Sequence, residues 1–304
     1  MDRLEAMGVL LAAVEGGSLS AAGRKLGMPL PTVSRKVSEL ESHLKSRLLE
    51  RSTRKLTLTD AGRAYVEACR RILEDVNEAE RAAAGEYAAP RGGLTISAPI
   101  VFGRLHVLPV LIDFLVAFPD VDVRMVLADR VVNLQEEHVD AVVRIGDLPD
   151  SSLVATRIGS IRRVVCASPA YFQTQGEPAR PRDLTSHRCV TFEGLVSPDT
   201  WIFEQDGAEI SVPVHSRLIV NTAEAAIDAA IAGVGLTRVL SYQVESALRA
   251  GMLQTTLTEF ESAPAPISLV YGARGLLPLK LRAFLDFATP RLRQRVDPFG
   301  NTRP

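Results

Sequence analysis

Hydrophobic spacing near the start of the chain predicts a set of short helices. Leu4, Met7, Leu11 and Val14 recur at intervals of three and four, the stripe of an amphipathic helix that Gly16-Gly17 then closes. Ser18 suits the N-cap of a second helix, with Leu19, Ala22 and Leu26 turned inward and Gly27 as its stop. Pro31 fits the first turn of a third helix, where a missing N–H costs nothing, and Val33, Val37, Leu40 and Leu44 give that helix one apolar face. Three short helices with a tight turn between the second and third form a helix-turn-helix. In residues 48–59, Leu56 and Leu58 alternate with Lys55, Thr57 and Thr59, the pattern of a small hairpin or wing.

Beyond Asp60, the residues Ala61, Tyr65, Ala68, Ile72, Val76, Ala79 and Ala83 make a long, narrow helical seam, better suited to pairing with a second helix than to lying on a core. Residues 85–93, with three glycines and Pro90, read as a hinge. Strand patterns follow at 94–97, 121–125, 141–145, 163–167, 190–192, 217–220, 236–239 and 267–271. Helices are expected at 110–118 (Leu111, Phe114, Leu115 and Phe118 inward), 224–232 and 279–292. This alternation predicts an α/β fold with largely parallel sheets. Trp201 and Phe203 read as core, and Gly233-Val234-Gly235 as a helix stop.

The 304 residues suit two domains, and 46% apolar with 23% charged residues is a globular composition. The net charge of −1 conceals a division along the chain. Between residues 20 and 55, nine basic residues (Arg24, Lys25, Arg35, Lys36, Lys45, Arg47, Arg51, Arg54, Lys55) stand against three acidic ones (Glu39, Glu41, Glu50). Such a block draws a polyanion, although on charge alone it serves equally as a solvated basic face. Patterning narrows the choice. Opposite the third helix's apolar stripe lie Pro31, Arg35, Ser38 and Ser42, flanked by Thr32, Ser34 and Lys36. Small hydroxyls beside one guanidinium suit an element entering a major groove, and Arg51, Arg54 and Lys55 on a wing suit phosphates or a minor groove.

Cys69, Cys166 and Cys189 have neither disulfide nor zinc spacing, the five histidines have no metal-ligand partner, and no nucleophile elbow or phosphate loop occurs. The expectation is therefore a protein of the reducing cytoplasm without a cofactor, metal, membrane span, signal peptide or catalytic set.

The residues Gly17-Ser18-Leu19-Ser20-Ala21-Ala22, Leu26, Thr32-Val33-Ser34-Arg35-Lys36-Val37, Leu40-Glu41, Leu48, Arg51, Arg54 and Leu58-Thr59-Asp60-Ala61-Gly62 resemble the N-terminal pattern of the LysR-type transcriptional regulators. The resemblance puts the DNA-reading region at about 19–38, Ser20 included. Pro29-Leu30 stands where the family usually has a polar Ser-Gln pair. Lys45-Ser46 replaces a glycine turn, and Leu49 a phenylalanine. Ser97-Ala98-Pro99, Pro109, Phe114, Pro119, Asp140, Arg144, Gly146 and Gly233-Val234-Gly235 resemble landmarks of the family's effector domain, which is similar to a type 2 periplasmic binding protein.

The resemblance implies an α/β multidomain chain: a winged helix-turn-helix head (1–59), a linker and dimerisation helix with its hinge (60–89), and an effector domain (90–304). One lobe would span 94–160 and 267–295, and the other 163–262. Ser97, Ala98 and Pro99 would meet Asn221, Thr222 and Arg144 or Phe192 at one cleft. Asn221 and Glu224 have capping-box spacing there, and a small carboxylate or similar anion is the first ligand class to try. The implied partners are promoter DNA, a small-molecule effector, a second copy in a dimer or tetramer, and RNA polymerase. The rival expectation is a small-molecule-binding or metabolic α/β protein with an N-terminal association module.

Overall fold

A computed structural model describes residues 2–51, 56–83, 89–192, 199–272 and 277–301, which form two compact units, residues 1–88 and 89–304. In the first unit, α1 (Arg3–Glu15), α2 (Leu19–Leu26) and α3 (Leu30–Leu44) precede a hairpin of β1 (Leu49–Arg51) and β2 (Leu56–Leu58), and α4 (Asp60–Ala83) follows. Gly27 closes α2 in the left-handed conformation (φ 66°). Its own stripe does not all turn inward: Ala22 is buried, whereas Leu26 faces solvent. Helix α1 also departs from its expected stripe, burying Ala6, Val9, Leu10 and Ala13 while Leu4 is exposed. It packs against α2, α3 and α4 together, so close approach favours its small residues. Helix α3 starts at Leu30, with Pro29 as N-cap and Pro31 in its first turn, and buries Val33, Val37 and Leu40 as its spacing requires. Lys45, in the family's glycine position, holds the left-handed conformation (φ 50°). Helix α4 packs on the head through Gly62, Val66 and Cys69, which leaves Ala61, Ile72 and Ala79 of its other seam exposed.

The second unit holds two five-stranded sheets. It runs β3 (Gly92–Ala98), α5 (Ile100–Phe102), a π-helical turn (Gly103–Val107), α6 (Leu108–Ala117), β4 (Val121–Leu127), β5 (Ala141–Ile145) and β6 (Leu153–Ile161). Then come β7 (Arg163–Ala167), α7 (Pro169–Gln175), β8 (Arg188–Phe192), β9 (Thr200–Gln205), β10 (Ala208–Pro213), β11 (His215–Val220) and α8 (Ala223–Ile231). Finally β12 (Leu236–Leu240), α9 (Ser241–Arg249), β13 (Gln254–Thr256), β14 (Ala265–Gly272) and α10 (Leu279–Asn301) complete it. The sheet orders are β4-β3-β5-β14-β6 and β11-β8-β12-β7-β13. Both are mixed rather than largely parallel: β14 runs antiparallel to β5 and β6, and β7 antiparallel to β12 and β13. The antiparallel pairs arise because the chain crosses between lobes directly from β6 into β7, through Arg162 alone, and later returns from the second lobe into β14.

Leu94, Ile96, Phe102, Phe114, Ile267, Leu269 and Phe284 belong to the core of the first lobe, and Trp201 and Phe203 lie in that of the second. Leu115 faces outward, unlike its neighbours Leu111 and Phe114. The run Ile100–Ala117 is long and apolar enough to cross a membrane, but here it buries Phe102, Val107 and Phe114 in the lobe core, with Phe114 edge-on to Phe284 of α10.

Candidate nucleic-acid interface and effector site

The turn between α2 and α3 is fixed by backbone contacts. Ser18 Oγ accepts the Ala21 N–H at 3.1 Å, as its N-cap role requires. A Cβ at Gly23 would lie 2.7 Å from the Met28 carbonyl oxygen, so the two helices meet only across a glycine. On α3, Pro31, Arg35 and Ser42 are exposed and Thr32, Ser34 and Ser38 half-buried; Ser20 is exposed on α2. Arg35 is held only loosely, its Nε 4.0 Å from Glu39 Oε1, and is free to reorient toward a ligand. Lys36, which flanks the exposed face of α3, is 17% exposed in its side chain, and its Nζ sits 2.5 Å from Glu5 Oε2, tying α3 to α1.

The wing is anchored by a residue that charge counting treats as a mere acid. Glu41 Oε1 accepts the N–H groups of Leu48 (2.8 Å) and Leu49 (3.1 Å). Thr59 Oγ1 donates to the Arg47 carbonyl at 2.7 Å and accepts the Gly62 N–H at 2.9 Å, joining the hairpin to α4. Arg51 ends β1, while Arg54 and Lys55 lie outside the described residues.

In the first lobe, β3 ends with Ser97 and Ala98. Ala98 joins the core, and Pro99 precedes α5, whose first N–H (Ile100) donates to Asp129 Oδ1 at 2.9 Å. Ser97 pairs with Val142 of β5, and strand alternation places Arg144, two residues on, on the same face as Val142 and Ser97. Arg144 Nη2 donates to the Val132 carbonyl at 2.5 Å, which holds the guanidinium beneath the segment following β4. Ser97 Oγ and Arg144 Nε are both buried with no hydrogen-bond partner, and Ser97 is 1% exposed.

In the second lobe, β11 pairs Val220 with Phe192 of β8, so Phe192 stands beside the residue preceding Asn221 and packs partly on the core beneath α8 and α9. The helix start differs from the capping box read in the sequence. Thr222, not Asn221, is the N-cap of α8, with Oγ1 accepting the Ala225 N–H at 3.3 Å, and Asn221 is exposed.

Three links between the lobes have no signature in the sequence. Arg104 of the π-helical turn lies 3.4 Å from Glu224 of α8. Arg162, between β6 and β7, pairs with Glu261 at 3.0 Å, joining one crossing to the segment that enters the other. Phe102 and His106 stack against Tyr242 of α9 at ring separations of 5.5 and 5.6 Å. Their partners lie about a hundred residues away or more, beyond the reach of any local pattern.

Burial, with Arg295 adding repulsion, lowers the His106 pKa to about 4. The unfolded chain takes up this proton near pH 6.5, so the stability associated with the neutral ring is complete above that pH and is lost as pH falls toward 4. The melting temperature of the body is expected to fall less steeply between pH 6.5 and 4.5 in His106→Phe than in the parent. Parallel curves would remove His106 from the acid response.

Cys166 and Cys189 are buried thiols whose pKa values burial pushes up to about 12, which makes them inert packing groups. Among the described residues, no group of three His, Cys, Asp or Glu side chains could hold a metal ion.

Comparison with known proteins covers both units. The profile of the bacterial regulatory helix-turn-helix protein, LysR family, matches residues 4–63, and that of the LysR substrate binding domain matches 88–293. An HTH-type transcriptional regulator of Xanthomonas campestris pv. campestris is 34% identical over 95% of this chain and 85% of its own. The full-length structure of the Vibrio cholerae virulence activator AphB, an LTTR protein, matches with a TM-score of 0.60 and 27% identity over 94% of this chain and 98% of that one. CrgA of Neisseria meningitidis, a LysR-type transcriptional regulator, matches with a TM-score of 0.60 and 30% identity over 95% and 98% of the two chains. With a winged helix-turn-helix head, a two-lobed α/β body and matching profiles across both, this chain belongs to the LysR family of transcriptional regulators, which bind DNA and small-molecule effectors and assemble as oligomers.

Proposed function

We propose that this regulator works in the cytoplasm, without catalytic turnover, by reading promoter DNA with α3 and answering to a small anion held in its body. Thr32, Ser34 and Arg35 contact base edges, Ser20, Pro31 and Ser38 line the approach, and Arg51, Arg54 and Lys55 lie along the backbone. The exposed seam of α4 pairs with that of a second copy, setting two heads about one DNA turn apart. Occupation of the body shifts the equilibrium between two arrangements of the lobes, and with it the bend imposed on DNA.

The observation that carries the effector reading is the pair of buried polar atoms without a partner, Ser97 Oγ and Arg144 Nε, on one sheet face. Leaving both unpaired costs on the order of 1–3 kcal/mol each, and an anion accepting from both removes that cost. Phe192, Asn221 and Thr222 complete the wall from the second lobe. A thermal-shift series of small mono- and dicarboxylates is expected to raise the body's melting temperature for at least one ligand, and Ser97→Ala is expected to erase that shift while leaving the unliganded protein folded. A shift retained in both Ser97→Ala and Arg144→Met would move the site elsewhere.

A further inference from the structure

Helix α3 begins with Leu30, preceded by Pro29, which supplies no side-chain cap, and followed by Pro31. The groups that open this helix therefore carry no side-chain hydrogen-bond donor or acceptor, and Pro31 has no N–H. Leu30 is 47% exposed, and Leu26, at the end of α2 across the same turn, is 39% exposed. The neighbouring apolar residues Val33, Val37 and Leu40 are all buried, so these two leucines are available outside the head's core.

A single exposed leucine is unremarkable on most surfaces, but position decides its meaning here. In a helix-turn-helix, the N-terminal residues of the second helix meet the base edges in the major groove. Hydrogen-bond readout by side chains needs amides, guanidinia or hydroxyls, and the side chains of residues 29–31 have none. The groove offers one apolar feature that identifies a base, the C5-methyl group of thymine. We infer that Leu30 is a specificity-determining residue that packs on a thymine methyl group at one position of each half-site, with Leu26 closing the contact from the side. The inference rests on the reading of α3 as the groove element. Arg35, five residues further along in the second turn, then reads a neighbouring base pair by hydrogen bonding, so methyl recognition and polar recognition are divided between the first and second turns.

The test uses the full chain and duplexes selected by it from a random library. Within the selected site, each thymine is replaced in turn by deoxyuridine, which differs only in lacking the methyl group, and affinities are compared. One thymine per half-site is expected to lose about fourfold on this change, the equivalent of one buried methyl(ene) group at ~0.8 kcal/mol. In Leu30→Ala the thymine and deoxyuridine duplexes are expected to bind alike at that position, while affinity for unselected DNA stays as in the parent. Leu30 is exposed, so this substitution leaves the head's core intact, which its melting temperature checks. A site in which no thymine responds to demethylation, or a deoxyuridine penalty that persists in Leu30→Ala, would overturn the inference. Failure of the library to enrich any sequence would overturn both this inference and the reading of α3 beneath it.

Discussion

Replacing Gly62 by Ala is expected to unfold the head or swing the wing away from it. A Cβ at this position would lie 2.0 Å from the Leu48 carbonyl oxygen and 2.9 Å from its carbon, so backbone meets side chain with nothing soft to yield. The same Leu48 carbonyl accepts the Thr59 N–H at 3.1 Å, so the wing cannot retreat without breaking the bond that joins it to α4. Overpacking of this kind costs about 3 kcal/mol or more, a large share of the stability of a domain of this size. Calorimetry of the full chain should show the head's transition lowered by more than 10 °C or absent while the body's is unchanged, with DNA affinity lost in parallel. A head melting within 2 °C of the parent would show that the wing accommodates a side chain.

Glu261→Gln is expected to destabilise the body strongly. Glu261 is nearly buried and pairs with Arg162 between the two crossings. Arg238 lies close enough to feel its charge, and burial together with Arg163 already depresses the Arg238 pKa to about 9. Arg238 also stacks over Phe203 at 5.3 Å and donates to the Ile202 carbonyl oxygen, so it cannot leave for solvent. A glutamine preserves shape but leaves the arginines without their carboxylate, at a cost of about 3–5 kcal/mol for an uncompensated buried charge. Urea unfolding of the body should reveal a loss of that size. The double variant Arg162→Met with Glu261→Gln should recover part of it, because removing both charges costs less than removing one. An unchanged urea midpoint for Glu261→Gln would mean that water already screens the pair.

The sequence makes the head legible because its signals are local. Ser18 and Gly27 bound one helix through their own caps, and Val33, Val37 and Leu40 follow a single helical period onto one core. Legibility fails where an element is packed on several sides or where charge is committed internally. Helix α1 has neighbours around most of its circumference, so its largest residues do not mark its buried face. Lys36 counts toward a basic patch in the sequence, yet it is bound to Glu5 across thirty-one residues. In the body, strand positions are readable from apolar runs, whereas strand direction is not: it depends on where the chain crosses between lobes. The candidate effector residues were individually visible as strand ends and caps. That Ser97 and Arg144 share a sheet face depends on the β3–β5 register, and that Thr222 rather than Asn221 caps α8 depends on where the backbone turns.

On the proposed function, the protein takes its DNA affinity from phosphate contacts and its choice of site from α3. The most direct measurement is equilibrium binding of the full chain to a selected duplex and to a scrambled one, between 50 and 200 mM salt, for the parent, Arg35→Ala, and Arg35→Ala with Arg54→Ala. With about six phosphates neutralised by two heads, affinity for either duplex should fall roughly a thousandfold over that salt range. Arg35→Ala should cost the selected duplex about 1–3 kcal/mol more than the scrambled one, and the double variant should weaken both. Affinity that is indifferent to salt, or that survives loss of both arginines, would contradict the account.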